Sequence, residues 1–151
     1  MKKINKKGFT LVELLAVVVI LGVLLLIAVP AVTNIINSSK DNAFLSQAKL
    51  AVENVETYLS IASDSDKPAD SCDIPITSIK LDRGSWDGYN GKVTVTKLSG
   101  ANTDGKMYEV TITLSDGTRS VTDKTLKGIT GVDATYAAAT TPTANSCTFY
   151  K

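Results

Sequence analysis

Histidine is absent from the 151-residue sequence. With it go the Ser-His-Asp and Cys-His catalytic arrangements and every metal site that needs an imidazole. Only two cysteines occur, Cys72 and Cys147, too few for a four-thiolate zinc or iron–sulfur centre within one chain. Neither sign of charge dominates: 16 Lys+Arg face 15 Asp+Glu, a net of +1, so no global field directs the chain to nucleic acid. There is no phosphate-binding glycine loop, no metal-ligand cluster and no pair of carboxylates at helical spacing in a plausible cleft. These absences argue against most enzymes and predict no cofactor and no metal. The length is that of one ordinary domain, or of one small domain with an appendage.

What is present is unevenly distributed. Lys2, Lys3, Lys6 and Lys7 precede a block of apolar residues from Phe9 to Val32, and Glu13 interrupts that block. From Leu14 to Val29, sixteen residues carry no charged or hydrogen-bonding side chain. As a helix, 9–32 would span about 36 Å, enough to cross a hydrocarbon core of about 30 Å. Setting aside the four lysines and Glu13 leaves twelve basic and fourteen acidic side chains, a net of −2 from residue 33 onward. A basic head, an apolar span and a slightly acidic body predict a single membrane pass with the lysines in the cytoplasm and the body exported. A cleaved secretory signal ending near Pro30 and Ala31 is one competing reading, and a plain signal anchor is another. Glu13 fits neither well, because a carboxylate inside a membrane helix is costly and rarely present without a role.

Lys7-Gly8-Phe9-Thr10-Leu11-Val12-Glu13, followed at once by the apolar run, resembles the processing and assembly motif of type IV prepilins, with a short leader of class III type. The resemblance covers residues 1 to about 62. It implies that a prepilin peptidase cuts between Gly8 and Phe9 and N-methylates Phe9. It also implies that Glu13 meets the new amine of a neighbouring subunit and so sets the register of a growing filament. A glycine suits the cut, since Gly8 resists helix formation and lets the scissile peptide lie extended. The attraction between carboxylate and ammonium is far stronger in low dielectric than in water. Gly22 and Pro30 interrupt the run. Pro30 removes a donor and crowds the carbonyl of Leu26, which predicts a kink. The family resemblance further implies that the stretch between them loosens when subunits pack.

Beyond Thr33 the pattern turns amphipathic. Phe44, Ala48, Ala51, Val52, Val55, Leu59 and Ala62 recur at steps of three and four. A helix from about Thr10 to Ala62 would be about 80 Å long. Its second half can serve as the spine of the exported domain, while its first half has only lipid or identical copies to bury itself against. Ser63-Asp64-Ser65-Asp66-Lys67-Pro68 ends it, and residues 63 to about 91 read as an irregular connection. Asp64, Asp66, Asp70 and Asp73 lack the spacing of a calcium loop and read as a solvated acidic stretch. Trp86 and Tyr89, among glycines, are either a ligand platform or, as the commoner arrangement, a lid over the sheet edge. Three strands follow, over 92–98, 106–114 and 119–122, separated by the turn sequences Asn102-Thr103-Asp104-Gly105 and Ser115-Asp116-Gly117-Thr118. Tyr108, Val110, Ile112 and Leu114 fall on one face, Glu109, Thr111 and Thr113 on the other. The tail is poor in anchors, with Val121, Leu126, Ile129, Val132 and Tyr136 as candidates.

The expected fold class is α+β: a long N-terminal helix packed on a small antiparallel sheet, the architecture the resemblance also implies. The expected organisation is a leader over 1–8, a membrane and filament-core helix over 9–32, an amphipathic half over 33–62 and a head over 63–151. Many members of the family staple their C-terminal region with a disulfide. Here Cys72 and Cys147 are expected either to pair, to remain free thiols, or to bond to other chains. The expected partners are copies of the chain in a helical homopolymer, the prepilin peptidase, the pilus assembly machinery and, before assembly, the membrane, with no nucleic acid. Such a chain would serve a surface filament for adhesion, motility or aggregation, as a major rather than a minor subunit. A pseudopilin of a secretion or DNA-uptake apparatus is the alternative, and a membrane-tethered binding module or enzyme a more distant one.

Overall fold

A computed structural model of the protein describes residues 9–81, 84–133 and 146–147. Among these residues lie one α-helix, α1 (Leu11–Ile61), and four strands, β1 (Cys72–Pro75), β2 (Asn90–Lys97), β3 (Tyr108–Ser115) and β4 (Ser120–Thr125). Short 3₁₀ turns lie at Asp64–Asp66, Ile76–Ser78 and Leu126–Gly128. The expected α+β class is therefore observed. The chain divides into two units, one ending at Lys40 and the other beginning at Asp41.

From Leu11 onward the first unit is helix, and among the described residues none of its side chains is buried. Every side chain from Phe9 to Lys40 is exposed, including Leu21, Leu24, Leu25 and Ile27. By length and composition this helix can cross a membrane. α1 runs without interruption through Gly22 and Pro30. Close to the proline, the Thr33 hydroxyl donates to the carbonyl of Val29 at 2.8 Å, a side-chain bond that slightly destabilises a helix and often bends it.

The second unit is built around the helical face that the three-and-four spacing marks out. Phe44, Ala48, Ala51, Val52, Val55 and Leu59 are buried; Ala62 is half-buried, just past the helix end. They meet the alternating apolar residues of the sheet: Val93 and Val95 of β2, Val110, Ile112 and Leu114 of β3, and Val121 of β4. The sheet is antiparallel throughout, in the order β1-β2-β3-β4. Its register places Val93 opposite Ile112 and Val95 opposite Val110, so the apolar residues form rows on one face. A one-residue slip would turn those rows outward, which is why burial fixes the register. Each such side chain, fully buried, contributes about 1.5–3 kcal/mol. Of the tail anchors, Val121 and Ile129 are buried and Leu126 and Val132 pack against the core, whereas Tyr136 lies outside the described residues.

The structure corrects the sequence reading in the connection after the helix. Residues 63–91 are not irregular throughout: β1 lies there and makes the sheet four-stranded. Four residues that include Asp and Pro carry no strand signal of their own. What makes them a strand is tertiary, since Ile74 is 1% exposed and faces Val93 across the pair. Ile76 and Ile79, in the turn that follows, are also buried. Asp73 is likewise not part of a solvated stretch. It accepts from Lys92 Nζ and from the Thr94 hydroxyl, both at 2.7 Å, and its side chain is nearly inaccessible. Trp86 and Tyr89 take the part of a lid. Tyr89 stacks on Phe44 with ring centres 6.0 Å apart, Trp86 meets Tyr89 edge-on, and the indole N–H donates to the Ile79 carbonyl at 2.7 Å.

Candidate assembly site at the start of the helix

The first amides of a helix have no acceptor within it. At the start of α1 two side chains supply the deficit for each other. The amide of Glu13 donates to the Thr10 hydroxyl oxygen at 3.3 Å. The Thr10 amide and the Thr10 hydroxyl both donate to Glu13 Oε2, each at 2.8 Å. This reciprocal arrangement is a capping box. Its signature, Thr followed three residues later by Glu and then an apolar run, stands in the sequence at 10–13. The sequence reading singled out Glu13 and passed over Thr10.

The consequence is positional. The capping box folds the Glu13 carboxylate back toward the chain start, beside the amide that follows Phe9. All three bonds involve Oε2 or the Thr10 hydroxyl, so among the described residues Oε1 has no partner. A carboxylate offers about four acceptor sites on its two oxygens, so the bond to Thr10 does not prevent Glu13 from receiving another donor. Phe9 is 91% exposed, and so available to a second molecule.

The structure thus places the Glu13 carboxylate on Thr10, the residue after Phe9, at the start of the helix. Gly22 and Pro30 lie farther along the same exposed helix, and beyond the helix's own neighbouring backbone nothing described lies within 4 Å of where a side chain on Gly22 would start. Gly8 lies outside the described residues. Cys72 and Cys147, in the second unit, are joined in a disulfide with their Cα atoms 5.1 Å apart. Beside the disulfide, Cys147 donates its amide to the Asp73 carbonyl at 2.8 Å, and Ser146 forms a parallel bridge with Asp73. Among the described residues no group of three or more acidic or cysteine side chains is placed to hold a metal ion.

Residues 3–29 match the family described as the prokaryotic N-terminal methylation motif. No curated protein and no solved structure matches the chain. The motif and a long apolar helix together fit membrane anchoring, with processing by a prepilin peptidase. The motif stands at the head of a long N-terminal helix that leads into a four-stranded antiparallel sheet, a pilin-like architecture.

Proposed function

We propose that this protein is a structural subunit of a type IV pilus, polymerising through its N-terminal helix into an extracellular filament. The observation that carries the reading is the helix up to Lys40: apolar for most of its length, wholly exposed, and headed by a carboxylate held on the amide and hydroxyl of Thr10. Apolar surface on this scale needs lipid or further copies of itself.

In this reading a prepilin peptidase cuts between Gly8 and Phe9 and methylates the new amine. The protomer waits in the membrane with Glu13 held by Thr10. On assembly, the oxygen that Thr10 leaves free receives the Phe9 ammonium of a neighbouring subunit. The pairing acts mainly by selection of register, because a charge buried without its partner is strongly penalised. The helix between Gly22 and Pro30, where one amide donor is missing, is where the rod loosens as copies pack. The work is structural rather than catalytic.

Glu13→Ala tests this. Export and membrane residence should remain at wild-type levels while filament growth from this subunit is lost. The mature chain from wild-type filaments should begin with N-methylated Phe9 by mass spectrometry. Normal filaments from the variant, or fibres that retain the leader, would overturn the reading. A pseudopilin would share the cleavage and methylation but build no long surface fibre, so electron microscopy of cells separates the two.

A further inference from the structure

The disulfide has a topological consequence. Cys72 is the first residue of β1, and Cys147 is 75 positions later. All four strands, and the buried Ile76, Ile79 and Ile129, lie on the stretch of chain that the bond closes into a ring. Only the helix and the residues up to Ser71 precede it. The two ends of the ring are adjacent in space, with Cα atoms 5.1 Å apart, and they are further tied by the Cys147 amide on the Asp73 carbonyl.

We propose that the Cys72–Cys147 bond removes the whole β-sheet from the path of tensile force along the chain. A pull between the helix and the C-terminal residues enters the ring at Cys72 and leaves at Cys147, passing through two sulfur atoms and no strand pairing. Without the bond the same pull enters at the end of β1, a strand of only four residues. It would peel β1 from β2, expose Ile74, and then open the strands in turn. The covalent path is strong where the noncovalent one is weakest. That a filament would carry such a load rests on the function proposed above; the shielding of the sheet by the ring does not, and it is measured on single chains.

The test is single-molecule extension of the full mature chain in detergent micelles, with handles at the N-terminus and after Lys151. Oxidised molecules should lengthen through the helix and the segment before Cys72, with no release of sheet length. In the same preparation under a reductant, and in Cys72→Ser/Cys147→Ser, an additional release of about 250 Å is expected, from 75 residues at about 3.3–3.6 Å each. Intact disulfide in the oxidised arm is verified by resistance to thiol labelling. A release of about 250 Å from oxidised molecules would overturn the proposal. So would its absence after reduction, since the sheet would then resist force without the bond. Neither outcome depends on whether the chain polymerises.

Discussion

Single residues carry two lessons here. Thr10 shows that a residue can matter by what it does to its neighbour, its amide and hydroxyl holding the Glu13 carboxylate at the helix start with two hydrogen bonds of 2.8 Å. Asp73 shows the limit of composition, because an aspartate in a stretch of aspartates proved to be a nearly inaccessible ion-pair partner of Lys92. Asp116 offers a measurable charge effect. Burial in the β3–β4 turn pushes its carboxyl upward, yet the amides of Thr118 and Arg119, with their side chains, outweigh that and hold it below its ordinary value of 3.8. A carboxylate held lower in the folded state adds stability above its unfolded value, and that contribution is lost as pH falls through its folded value. Thermal melts should therefore lose stability below about pH 4. In Asp116→Asn the melt should start lower at neutral pH and fall less steeply over that acid range, whereas an unchanged acid slope would remove Asp116 from the explanation.

At the scale of elements, pattern and packing divide the work. The period of the helix and the alternation of β2 and β3 were legible because each buries one face against many partners. The outcome is seen in Phe44 to Leu59 and in Val110, Ile112 and Leu114. β1 was not legible: four residues with Pro75 at their end are a strand only because Ile74 has a core to enter and Thr94 sits opposite Asp73. Backbone proximity imposes a separate requirement at Gly91, where β2 faces Leu114. A β-carbon there would lie 2.1 Å from the Thr113 carbonyl oxygen. Gly91→Ala should cost at least about 2 kcal/mol, read as a lower urea midpoint with unchanged slope. The helix is tied to the β3–β4 turn by Arg119, whose Nε donates to Asp41 at 2.5 Å and whose Nη1 donates to Asp116 at 3.1 Å. Asp41 is 40% exposed, so the pair is partly screened. Arg119→Ala should cost about 1–2 kcal/mol and lower the melting temperature by several degrees. Arg119→Lys should recover only part of that, because an ammonium cannot make the same forked contact.

For the molecule as a whole, the disulfide is the feature that composition alone left open. Closing 75 positions, it should stabilise the second unit by about 4 kcal/mol through the entropy it removes from the unfolded chain. Melts with and without reductant should differ accordingly, and coincident curves would mean that the noncovalent contacts suffice. The division of labour between sequence and structure follows the range of the interactions concerned. Leader motif, apolar span, amphipathic face and strand alternation depend on neighbours within a few positions, so the order of residues was enough to determine them, and with them the α+β class and the family resemblance. The fourth strand, the burial of Asp73, the meeting of Arg119 with Asp41 and the pairing of Cys72 with Cys147 join residues 17 to 78 positions apart. Such contacts form only when the chain has already folded back on itself, so only the tertiary structure could decide them.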